Sequence, residues 1–97
     1  MITHVVLLRL HAGVSAESGA AQAAHAAMQA LPAKIALIRH WQCGFNVTQD
    51  VQAWNYVLVS GFDNEADMQA YFEHPDHLKV VAAWEPISEL AFGDLVG

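Results

Sequence analysis

The chain has 97 residues, 55% hydrophobic and only 14% charged, and a net charge of −6 with four basic residues. That length holds one domain, residues 1–97. The basic residues Arg9, Lys34, Arg39 and Lys79 are too scattered to form the stripe that phosphates require, so nucleic acid and anionic membranes are poor partners. No apolar run approaches the ~20 residues that span a bilayer, and Met1-Ile2-Thr3-His4 does not begin a signal peptide, so a cytoplasmic location is expected. Cys43 is the only cysteine, which excludes an intrachain disulfide or a thiolate metal cluster and reads as a small buried hydrophobe.

Residues 2–11, β-branched and apolar, predict a first strand. Gly13 ends it, and Ser15 is expected to cap a helix running to about Leu31, with Glu17 in its first turn. Ala20, Ala24, Ala27, Met28 and Leu31 share the apolar stripe of that helix, Gln22, His25 and Gln29 lie opposite, and Pro32 marks the end. A second strand is expected over residues 35–43, a polar loop over 44–52 and a third strand over 54–62. Asp63 or Asn64 caps a second helix with Met68, Tyr71 and Phe72 inward. Pro75 interrupts it, a short helix follows over 76–84, Pro86 ends that helix, and residues 87–95 supply a fourth strand.

The order β-α-β-β-α-β is the split arrangement of ferredoxin-like α+β folds, a four-stranded antiparallel sheet with helices on one face. In the first strand His4, Val6, Leu8 and Leu10 alternate with Val5, Leu7 and Arg9; in the third, Tyr56, Leu58 and Phe62 alternate with Val57 and Val59. An antiparallel sheet with one wet face shows polar alternation, and these strands do not. The chain has no spare element to cover the second face, so a homodimer is expected.

The stretch Tyr71-Phe72-Glu73-His74-Pro75-Asp76-His77 carries the chemistry-bearing residues. Pro75 fits the first position of a helix, which places His74 at the N-cap and His77 at N3. Val81 and Trp84 follow His77 at i+4 and i+7, so all three face inward and Val81 and Trp84 are candidate pocket residues. An inward histidine at a helix N-terminus is disfavoured in its charged form and suits a general base, although Asp76 pulls the other way. A turn histidine that only caps a helix or bonds a carbonyl explains the same spacing. A metal reading of His74 and His77 lacks a diagnostic third ligand, and none is assigned. His11 and His25 read as solvated; His40 is undecided.

Five pieces together resemble the stress-responsive A/B barrel domain family, also called Dabb. They are His4-Val5-Val6-Leu7-Leu8, Cys43-Gly44-Phe45-Asn46-Val47-Thr48, Tyr56 to Phe62 with the acidic helix start after it, Tyr71 to Leu78, and Phe92-Gly93-Asp94. The resemblance spans nearly the whole chain and implies a homodimeric α+β barrel. The family includes a plant polyketide cyclase that closes an aromatic ring by aldol condensation. By that resemblance His77 is the base, Tyr71 assists it, and His4 lines the same pocket. The cyclase has a further histidine in its third strand where this chain has Tyr56, which is expected to line the pocket here and puts the substrate's identity out of reach.

Three functions compete. The first is acid–base chemistry on a carbonyl compound of polyketide kind, with no metal or organic cofactor, as a lyase or isomerase. The second is a dimer that binds a small apolar or aromatic ligand without transforming it, which the apolar excess and Trp41, Trp54 and Trp84 suit. The third is a monooxygenase of the barrel type, raised by fold resemblance alone.

Overall fold

The β-branched run at the start of the chain becomes an inner strand. The computed structural model describes residues Met1–Gly97, in the order β1 (Ile2–Leu10), α1 (Gly19–Lys34), β2 (His40–Phe45), β3 (Tyr56–Phe62), α2 (Glu65–Glu73), α3 (Pro75–Trp84) and β4 (Ser88–Val96). The four strands form one sheet in the order β2-β3-β1-β4, every neighbouring pair antiparallel. This is the ferredoxin-like arrangement expected from the element order.

Alternation along β1 decides what each face does. His4, Val6 and Leu8 are buried toward the helices together with Tyr56, Leu58 and Phe62 of β3. Leu8, Leu31 and Ile35 are almost wholly inaccessible, and burial of each such side chain stabilises the fold by about 2 kcal/mol. On the opposite face Val5, Leu7, Val57 and Val59 stand in register, and they take no part in the buried core. Val59 is 37% exposed and Leu95, further out on β4, is 57% exposed.

Several boundaries differ from expectation, each for a local reason. Ser18, not Ser15, caps α1, its hydroxyl accepting from the Ala21 amide at 3.2 Å. Ser15 instead closes a turn by accepting from the Glu17 amide at 3.0 Å. The buried stripe is accordingly Ala21, Ala24, Met28 and Leu31, and Ala20 is exposed. Pro32 lies inside the helix, which continues to Lys34 and closes with the Ile35 amide donating to the Leu31 carbonyl at 3.0 Å. In the last turn the missing proline donor removes a single bond, and the helix survives it.

The run from Ile35 to Ile38 is not strand: Ile35 caps α1 and fills the core, and β2 begins only at His40, opposite Gly61. Gly44 and Phe45, expected in a loop, extend β2 by pairing with Val57 and Tyr56. At the start of β3, Trp54 and Asn55 stay outside the strand. Trp54 lies under the Arg9 guanidinium at 4.7 Å, and the Asn55 side chain accepts from the Leu10 amide at 2.8 Å.

Candidate functional site

The break between α2 and α3 builds the centre of the site. Pro75 opens α3 without an amide hydrogen, and the Asp76 amide donates to His74 Nδ1 at 3.1 Å, so His74 is the N-cap as expected. That bond takes the donor which would otherwise continue the α2 ladder to the Phe72 carbonyl. Like the other last carbonyls of a helix, Phe72 needs a partner from elsewhere. It finds one in His77, whose Nδ1 lies 3.0 Å away. A carbonyl only accepts, so Nδ1 holds the hydrogen and Nε2 keeps the lone pair. Burial holds the imidazole below its ordinary pKa of 6.5; the Phe72 bond opposes this, and the neighbouring His4 and His74 reinforce it. Asp76, expected to pull upward, is turned to His74 Nδ1 at 3.8 Å and Lys79 Nζ at 3.9 Å.

A second imidazole is fixed in a similar way. The register of β1 with β4 sets His4 opposite Asp94, and His4 Nδ1 lies 2.5 Å from Asp94 Oδ1. His4 is buried and packs against Phe72 and Phe92, with ring centroids at 5.0 and 5.6 Å. With Nδ1 tied to the carboxylate, Nε2 is again the nitrogen left for other partners. Asp94 was missed as a functional residue by sequence reasoning, although Phe92-Gly93-Asp94 belongs to the resemblance. Its partner is 90 residues away along the chain.

His4 and His77 both line a cavity of about 340 Å³ between the sheet and the helices. Of its 15 lining residues 11 are hydrophobic, the composition of a small-molecule site rather than a solvent channel. Tyr71, Val81 and Trp84 line it as expected, and Phe92 and Leu90 of β4 form a rim that is largely exposed. The Tyr71 ring lies against His77 with centroids 4.4 Å apart. Burial pushes the Tyr71 phenol well above its ordinary pKa, so the group keeps its proton and acts as a donor. His74 and His77 do not belong to any cluster of three metal-ligating side chains.

Tyr56 is the exception among the expected residues, because it lies outside the cavity lining. It pairs with Leu8 on β1 whereas His4 pairs with Ser60, so Tyr56 sits at the far end of the strand. There its hydroxyl meets His25 Nδ1 at 2.6 Å under α1. Burial raises the Tyr56 pKa far above the phenol range, the neighbouring Cys43 adding to it, so the phenol keeps its proton beside His25. His25 is therefore half-buried against Phe45 and Tyr56 and not solvated. His11 is exposed as expected, and His40 is exposed at the start of edge strand β2.

Fold and site together define a ferredoxin-like α+β domain with a histidine-bearing apolar cavity. Residues 2–93 match the stress responsive A/B barrel domain, and the chain belongs to that family. It is 31% identical over 94 residues to an uncharacterised protein of Streptomyces coelicolor, covering 97% of each chain. Among solved structures it is similar to a dimeric protein of unknown function and ferredoxin-like fold from Bacteroides fragilis. The identity is 32%, with 99% of this chain and 95% of that chain covered and a TM-score of 0.86. A hydroxynitrile lyase from Passiflora edulis shares the fold at 16% identity, covering 99% and 92% of the two chains with a TM-score of 0.83. No helix is long and apolar enough to cross a membrane.

Proposed function

We propose that the cavity carries out acid–base chemistry on a carbonyl compound, with His77 Nε2 removing a proton alpha to the carbonyl. The observation that carries this reading is the 3.0 Å bond from His77 Nδ1 to the Phe72 carbonyl, which leaves the basic nitrogen free beside an apolar cavity. In the step the C–H bond breaks, the proton passes to Nε2, and the electron pair moves into an enolate. The protonated Tyr71 phenol supplies a hydrogen bond to the enolate oxygen, while His4, its Nδ1 hydrogen held by Asp94, lies alongside and shapes that end of the cavity. The enolate then takes back a proton or attacks a second carbonyl. His77 performs the proton transfer through its own lone pair, so the step calls on no cofactor.

The mostly hydrophobic lining favours a second reading, a site that binds a small apolar or aromatic molecule unchanged. In either case we propose a homodimer joined through the uncovered sheet face, since Val5, Leu7, Val57 and Val59 have no covering element in the chain.

The two readings separate on 2-nonanone in deuterated buffer, with loss of the alpha-proton signals followed by NMR. The first expects exchange well above the buffer rate and at least about 10²-fold slower in His77→Ala, with an unchanged circular dichroism spectrum. Saturable binding with exchange no faster than buffer would leave only the binding reading. Exchange unaffected by His77→Ala would remove His77 as the base.

A further inference from the structure

We infer that the cavity selects an elongated, uncharged carbonyl compound, and that Glu85 is the residue that turns away an anionic far end. This rests on the reading of the cavity as a ligand site with its reactive end at His77. The site has two ends because strand and helix run along it. From His77 to Glu85, α3 advances about 12 Å, and from His4 to Leu8, β1 advances about 13 Å. His4 and His77 mark one end, while Glu85, Ser88 and Leu90, which pairs with Leu8, mark the other.

Charge along this slot has one sign. No lysine or arginine lines it. Lys79, on α3, is solvent-exposed and turned to Asp76, and Arg9 is held by Glu89 and Trp54. Asp94, bonded to His4, brings a carboxylate to one end, and Glu85 brings another to the other end. Ser88 offers no compensation, because its hydroxyl donates to the Trp84 carbonyl at 2.7 Å. In the apolar body between the ends Val6, Leu58 and Val80 carry no polar side-chain atom, and the one unpaired donor, the Trp84 indole N–H, is buried with no exposed surface to offer a carboxylate. An anion entering the far end loses hydration and meets only a like charge. An uncharged chain loses nothing polar there, and each methylene it buries tightens binding about fourfold.

The probes are 8-oxononanoate and its methyl ester, which share the ketone and chain and differ in the charge at the far end. Dissociation constants are read at pH 7.5 and low ionic strength from the shifts of the His77 ring signals. The ester is expected to bind at least tenfold tighter than the acid. Glu85→Lys, at an exposed side chain, is expected to narrow that ratio at least threefold by strengthening the acid, and added salt to narrow it in the native protein. A ratio within twofold in the native protein, or one that Glu85→Lys leaves unchanged, overturns the inference. Alpha-proton exchange is read separately. Absent exchange with an intact ratio removes the catalytic reading alone, and exchange with a flat ratio removes charge selection alone.

Discussion

His77 returns across the α2–α3 break to satisfy the Phe72 carbonyl, its Nδ1 at 3.0 Å, and one bond thereby ends a helix and orients a base. Because burial lowers the folded pKa of His77 below its ordinary 6.5, the unfolded chain takes up this proton first as pH falls. The stability from keeping the ring neutral is complete above pH 6.5 and is lost as pH falls from there towards the folded pKa. His77→Ala should cost about 1 kcal/mol at pH 7.5 by leaving the carbonyl unpaired, and less at pH 5. Urea denaturation of both proteins at the two pH values checks this; a cost independent of pH would count against a depressed pKa. Alpha-proton exchange should also decline on the acid side as Nε2 is protonated.

What could be read in the sequence follows the range of the interactions involved. His74-Pro75 announces a cap and a helix start within three residues, so the placement of His77 at N3 and its inward face followed from local chemistry. Competition between near-equal local options was harder: Ser15 and Ser18 both offer a capping hydroxyl, and only the turn to Glu17 takes Ser15 away. The Ile35–Ile38 run has strand composition but fills the core beneath α1, because β2 pairing starts further on. His4–Asp94 and His25–Tyr56 depend on strand register and on the seating of α1. Neither contact has a local signature, so Asp94 went unnoticed and Tyr56 was expected in the cavity lining, where it does not lie.

The two buried tyrosines should respond differently to loss of a hydroxyl. Tyr71→Phe keeps the ring against His77 and removes the donor, so alpha-proton exchange should fall by about 10- to 10²-fold with stability nearly unchanged. Tyr56→Phe removes the hydroxyl partner of His25 and should cost about 1 kcal/mol of stability, with exchange within twofold of the native rate. Parallel exchange assays and urea titrations measure both. Equal losses of exchange in the two variants would place Tyr56 in the site after all.

Asp94 should act on the site through His4 alone. Its carboxylate accepts from His4 Nδ1; in Asp94→Asn the side-chain amide can donate to that nitrogen instead, which moves the ring hydrogen to Nε2. With its hydrogen on Nε2 the ring can donate to the enolate oxygen, so the exchange rate is expected to rise about tenfold in Asp94→Asn, with Asp94→Glu staying near the native rate. Long-range proton–nitrogen spectra report the tautomer directly. A rate loss without a change of tautomer would show that Asp94 serves the fold and does not orient His4.

Val59 tests the assembly independently of the chemistry. It lies on the uncovered sheet face between Val5 on β1 and Gln42 on β2 and is 37% exposed. A lysine there can reach water in a lone chain but would be trapped between two sheets in a face-to-face dimer, where burying an unpaired charge is costly. Native protein at micromolar concentration should sediment as a dimer, and Val59→Lys as a folded monomer with unchanged circular dichroism. A native monomer would remove the dimer proposal, and a variant that remains dimeric would move the interface to another face. Whether the Val59→Lys monomer still exchanges alpha-protons then decides if the cavity works within one chain. Continued exchange is expected, because His4, Tyr71, His77 and Asp94 all come from the same chain.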